Sequence, residues 1–123
     1  MKNTVLLLSA GLLTFACTSK KEIIIKKWNV KSIEIAGQIL EGEIVSGFYF
    51  EIKPDGKYLI KGMNDEVGTW TLSQNNDSLI TTNEKNRKSS YFIKSLEQKN
   101  FSMVDNSVGE ATVTNFIDRK SVV

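Results

Sequence analysis

The sequence has no histidine. That absence removes the usual general base at neutral pH and the commonest metal ligand. It has a single cysteine, Cys17, so neither an intrachain disulfide nor a thiolate zinc cage can form, and the fold must stand on packing. An excess of charge of either sign is missing as well: 16 basic against 14 acidic side chains give a formal net charge of +2. A nucleic-acid partner held by bulk electrostatics is therefore not expected. There is no phosphate-cradling glycine loop and no serine nucleophile elbow. The sustained apolar run from Val5 to Ala16 measures about 18 Å as a helix at 1.5 Å per residue, well short of the ~30 Å hydrocarbon core that a transmembrane helix must cross.

That run is the first positive signal. Behind the short positive end made by Lys2, residues 1–16 read as a signal peptide, and its removal leaves about 100 residues, the size of one modest domain. The segment Leu13-Thr14-Phe15-Ala16-Cys17 resembles the lipobox that directs diacylglyceryl attachment to a cysteine and cleavage just before it. Ala16 and Cys17 match; Thr14 and Phe15 stand where that pattern prefers leucine followed by a small residue. The resemblance implies a lipoprotein acylated at Cys17, palmitate-type chains being held in the bilayer at about 0.8 kcal/mol per buried methylene. Residues 17–27 then read as a lipidated cysteine and tether, whose Lys20, Lys21, Lys26 and Lys27 keep a folded domain soluble beside a membrane. The expected location is the cell envelope, lipid-anchored, on the outer membrane, since Thr18 is not the aspartate that in some bacteria retains lipoproteins at the inner membrane.

From residue 28 to 119 the chain offers short runs rich in β-branched and aromatic residues, punctuated every eight to twelve residues by Gly, Asn, Asp or Pro, the pattern of an all-β sandwich or barrel. Apolar positions alternate at Trp28 and Val30 and again at Ile33 and Ile35; the slip in phase predicts a bulge. Phe48, Phe50 and Ile52 share one face of the next strand, with Tyr49, Glu51 and Lys53 on the other. Pro54-Asp55-Gly56 predicts a tight turn into Lys57–Lys61. Trp70 and Leu72 alternate with Thr69, Thr71 and Ser73, and Gln74-Asn75-Asn76-Asp77 turns the chain into residues 78–82. Residues 91–94, 101–104 and 111–116 supply three more strands, and residues 36–45 a further strand or a lid interrupted by Gly37 and Gly42. The expectation is an eight-stranded antiparallel up-and-down meander, which escapes exposed edges by closing into a barrel.

The order Trp28-x-Val30, Phe50-x-Ile52-x-Pro54-Asp55-Gly56-x-Tyr58, Gly68-x-Trp70-x-Leu72, Leu79 and Tyr91-x-Ile93-x-x-Leu96 is similar to that of the lipocalin-like, calycin-type domain of small Bacteroidetes-type lipoproteins, over about residues 28–117. Its common Gly-x-Trp opening is replaced here by Lys26-Lys27-Trp28. The resemblance implies an eight-stranded barrel on a lipid tether and brings no catalytic residues.

Two classes of function follow. The first is a binding module that takes a small apolar or amphipathic ligand, with Trp28, Trp70, Phe50, Tyr58 and Tyr91 as candidate contacts; the two tryptophans fit core packing better than stacking on a ligand. The second is a protein-interaction part with a solid barrel, an accessory subunit or inhibitor of an envelope enzyme, working through tips such as residues 84–88 and 105–110. An enzyme ranks last, and no cofactor or metal is expected. Glu41 with Glu43 and Asp65 with Glu66 are too close in sequence to face each other across a cleft, and Asp105–Glu110 lacks the spacing of a calcium loop.

Overall fold

The computed structural model describes residues 19–62, 64–107 and 109–119. They form a short helix α1 (Lys20–Ile24) and strands β1 (Lys27–Ile35), β2 (Gln38–Glu41), β3 (Tyr49–Ile52), β4 (Lys57–Lys61), β5 (Glu66–Leu72), β6 (Ser78–Asn83), β7 (Lys88–Leu96), β8 (Asn100–Asp105) and β9 (Thr112–Asp118), with a 3₁₀ turn at Gly42–Val45. All neighbouring strands are antiparallel, and β9 returns to pair with β1. The result is a closed barrel of eight staves, because β2 and β3 lie end to end on the same side of β1. β2 pairs with Ser32–Ile35 and β3 with Lys27–Asn29, and the 3₁₀ turn interrupts the stave between them.

The predicted phase slip is a bulge between Val30 and Ser32 in the β1–β9 ladder. It keeps Trp28 and Val30 facing inward before the slip and Ile33 and Ile35 after it, and it sends Ser32 and Glu34 outward. On that outer face the closing seam is stapled by side chains. Asn115 on β9 donates to Ser32 (3.0 Å) and Glu34 (2.9 Å) on β1, and Ser102 on β8 donates to Asn115 (2.6 Å). Gly56 takes φ +85°, and Asp55 accepts from the Lys57 amide, which closes the predicted turn between β3 and β4. Gly68 has a different reason to be glycine. A Cβ there would stand 2.0 Å from the Thr82 carbonyl oxygen, so the β5–β6 approach tolerates no side chain.

One end of the barrel is plugged. Ser19 accepts from the Glu22 amide and starts α1, which lays a fully buried Ile24 against the core and accepts the Trp28 indole N–H on the Ile24 carbonyl (2.9 Å). Part of the stretch expected to act as tether is thus folded onto the barrel. The aliphatic spacing that does this, Ile23-Ile24-Ile25, is too short to signal a helix by period. Trp28, Ile52, Trp70, Leu79, Ile93 and Phe101 fill this end together with Ile24.

Candidate functional site

The barrel interior divides at a chain of aromatic rings. Trp28 lies 5.5 Å from Phe101, Phe101 stacks on Phe116 at 5.1 Å, Phe116 is 6.0 Å from Phe50, and Phe50 meets Tyr58 edge-on at 5.7 Å. Below this floor the core is filled. Above it, toward the loops opposite α1, lies a cavity of about 280 Å³ whose interior wall is Val30, Ile33, Phe50, Ile60, Met103 and Phe116. The alternation of strand residues carries each of these inward: Phe116 and Thr114 on β9 oppose Val30 and Ile33 on β1, and Ile60 opposes Phe50 across the β3–β4 ladder.

The far wall of the same half is polar. Cross-strand register sets Glu66 on the inward row of β5 with Gly68, Trp70 and Leu72, and Thr81 on the inward row of β6 with Leu79. The Tyr58 hydroxyl donates to the Glu66 carboxylate at 2.6 Å. Burial holds the Tyr58 hydroxyl protonated well above the usual phenol range, and the adjacent Glu66 carboxylate pushes the same way. Tyr91 is shifted upward too, first by burial and then by the negative charges of Asp105 and Glu66, with the hydroxyls of Ser89 and Thr81 opposing. Among the described residues no buried side-chain polar atom lacks a hydrogen-bond partner. This wall is therefore a satisfied polar network that fixes the core beside the cavity, and the cavity's own lining is made by other residues.

The candidates read from the sequence separate along this division. Trp28 and Trp70 lie in the plugged half. Their indoles are spent on the backbone carbonyls of Ile24 and Lys53, the second at 2.8 Å, and Trp28 is fully buried. Phe50 lines the cavity, and Tyr58 and Tyr91 belong to the polar wall. Cys17 lies outside the described residues. The cavity residues Ile60, Met103 and Phe116 and the polar residue Thr81 were not among the sequence candidates; Val30 and Ile33 entered only as strand positions, Glu66 only as a carboxylate beside Asp65, and Asp105 only as part of a turn. The signal was present for Thr81, two residues from the core position Leu79 on the same strand, whereas Glu66 beside Asp65 reads as a polar strand end.

The loop tips are ordinary turns. Asn83 accepts from the Lys85 and Arg87 amides, and Asp105 accepts from the Ser107 amide at 2.9 Å. Asp65 pairs with Lys61 at 2.7 Å, whereas Glu66 points the other way toward Tyr58. Among the described residues no group of histidine, cysteine or acidic side chains is placed to hold a metal ion. No protein-family model matches the chain, and no curated protein matches it.

Proposed function

We propose that the protein is a membrane-anchored lipoprotein, acylated at Cys17, whose lipocalin-like barrel binds a small apolar or amphipathic molecule without acting on it chemically. The observation that carries the reading is the apolar cavity above the aromatic floor, lined by Val30, Ile33, Phe50, Ile60, Met103 and Phe116. A cavity of about 280 Å³ is roughly twice the ~150 Å³ apolar void that admits a benzene ring, so the guest has on the order of a dozen heavy atoms. Its apolar part meets Val30, Ile33, Ile60, Met103 and Phe116 and rests on Phe50. Phe50 is the contact kept from the original candidates, Tyr58 and Tyr91 belong to the polar network beside it, and Trp28 and Trp70 act as packing.

The anchor reading rests on the signal-like run and Ala16-Cys17, and it puts the barrel on the outer membrane of the cell envelope. Intact-mass analysis of protein from its native host tests it. Mass consistent with cleavage before Cys17 plus two or three acyl chains is expected, and an unmodified thiol or retained leader would contradict it. For the cavity, native mass spectrometry of the purified barrel is expected to show a retained or added small molecule. Protein that never retains or takes up any apolar compound would sink the binding reading.

A second reading, a protein-interaction part working on an envelope partner, is favoured by one observation. Ile39 and Ile44, on β2 and the 3₁₀ turn, are 59% and 62% exposed, and two such aliphatics on neighbouring elements are the start of the contiguous apolar surface that a partner covers. Recovery of one stoichiometric partner from membranes, lost on Ile39→Asp with Ile44→Asp, would favour it over the first.

A further inference from the structure

The cavity does not open along the barrel axis alone. Its outer lining is Phe48, Tyr49, Lys61, Gly62 and Asn64, residues from the break between β2 and β3 and from the end of β4. At that break β2 pairs with β1 and with no other strand, while β3 pairs with β4 from Tyr49 to Ile52. The wall is therefore open to the side where an uninterrupted second stave would have sealed it.

A second concavity of about 300 Å³ lies on the outer surface beside this break and shares Val30, Phe48 and Tyr49 with the internal cavity. Phe48 is the partition between the two. Its backbone is fixed, with the amide donating to the Val45 carbonyl (3.1 Å) and the carbonyl accepting from the Val30 amide (2.9 Å). Its side chain is only half-buried and faces Gly62, where a Cβ would stand 3.9 Å from the ring. A ring rotation needs no backbone movement, and the lack of a side chain at Gly62 leaves room for it.

The mouth of this passage is cationic. Tyr49 faces outward, opposite Lys61 in the β3–β4 ladder. Lys27 stands 4.1 Å from the centre of its ring and Arg119 5.7 Å away. Asp65 forms an ion pair with Lys61, and Glu51 lies opposite Lys27 in the β1–β3 ladder. The Lys61–Asp65 pair is exposed on both sides, so exchanging Asp65 for another anion costs little.

We propose that the cavity is filled from the side, past Phe48, by a single-chain anionic amphiphile whose tail lies against Val30, Ile60, Met103 and Phe116 and whose head stays outside with Lys61 and Arg119 around Tyr49. This rests on the binding reading above and adds the route and the ligand class.

Titration of the full mature protein with decanoate and with decanol separates the parts. Decanoate is expected to bind on the order of tenfold more tightly than decanol, a preference worth ~1.4 kcal/mol. Lys61→Gln with Arg119→Gln is expected to reduce that preference to about twofold while leaving decanol binding unchanged. Gly62→Leu, at a backbone position with no positive φ, fills the passage and is expected to weaken both ligands by about tenfold or more. Thr112→Leu, on the inward row at the axial mouth opposite Ile35, is expected to leave both unchanged. Thermal unfolding confirms that each variant is folded. Should Gly62→Leu not fold, Phe48→Ala reads the same route through a faster association rate. Equal binding of the acid and the alcohol overturns the ligand class. Loss of binding in Thr112→Leu but not Gly62→Leu, or an association rate indifferent to Phe48→Ala, overturns the side route. If neither compound binds the unaltered protein, the binding reading itself fails and this inference with it.

Discussion

The two halves of the barrel solve the same geometric problem in opposite ways. At the α1 end, eight staves converge on large rings and branched aliphatics, with Trp28, Phe101, Leu79 and Ile52 each almost wholly buried. Both tryptophan N–H groups there are satisfied by backbone carbonyls. At the other end the same staves carry smaller or polar inward residues, among them Thr81, Thr114, Ser89 and Gly68, and the second stave is broken. The interior of a small barrel is just wide enough for side chains to fill. Whether it is solid or hollow is thus decided by residue volume alone, and in this chain the volume is spent at one end.

Breaking the filled half should be costly. Trp28→Ala is expected to destabilise the protein by about 3–5 kcal/mol, since it removes the largest fully buried side chain and leaves the Ile24 carbonyl without its donor. A urea midpoint close to the unaltered protein's would show that the plug is not the source of stability. Gly68→Ala, in the polar wall, is expected to cost about 3 kcal/mol or more because the methyl collides with backbone rather than with a movable side chain. Native-like stability of that variant would mean that β5 and β6 are not so close.

The most informative pair enlarges a side chain in each half. Leu79→Phe overfills the plugged half and is expected to cost about 1–3 kcal/mol. Val30→Leu adds a methylene beside the cavity and is expected to cost less than ~1 kcal/mol while reducing the space for a guest. Equal costs would erase the distinction between the halves.

Much of the fold was legible in the sequence, and the rest was hidden for identifiable reasons. The strands around Phe50, Trp70 and Leu79 declared themselves through alternation and turn residues, and the bulge in β1 followed from the phase of Trp28, Val30, Ile33 and Ile35. Strand β7 begins at Lys88, three residues before its first apolar position, because Ser89 and Ser90 pair by backbone while adding no hydrophobic signal. Residues 36–45, read as a strand or a lid, are a short strand and then a 3₁₀ turn, with Gly37 at φ +80° and Gly42 at φ +70° making the corners. The candidate site was less visible than the fold. A periodic pattern tells which residues face inward, but not whether the inward residues at a given height fill the space between them. Aromatic content pointed to Trp28 and Trp70, whose indoles are spent on backbone carbonyls in the filled half, whereas the cavity is lined by Val30, Ile33, Ile60 and Met103, which look like any other core positions.

A comparably small effect concerns the polar wall. Tyr58 and Tyr91 both hold their protons more tightly in the folded protein than in the unfolded chain. Their contribution is therefore complete below the ordinary tyrosine pKa of about 10 and is lost as the pH rises above it, because the unfolded chain then releases protons that the folded one retains. The urea midpoint should stay level in this respect from pH 7 to about 9 and fall beyond about pH 10. Tyr58→Phe is expected to cost about 1 kcal/mol at neutral pH through the lost bond to Glu66 and to flatten the alkaline fall. An unchanged alkaline slope in that variant would assign the effect elsewhere.

The division into a solid and a hollow half is tested most directly by diffraction from a crystal under xenon pressure, since xenon settles in apolar voids and not in filled cores. The expected result is one xenon site above the aromatic floor, touching Val30, Phe50, Met103 and Phe116. A xenon atom lodged instead among Trp28, Leu79 and Ile93, or no internal site at all, would contradict the account.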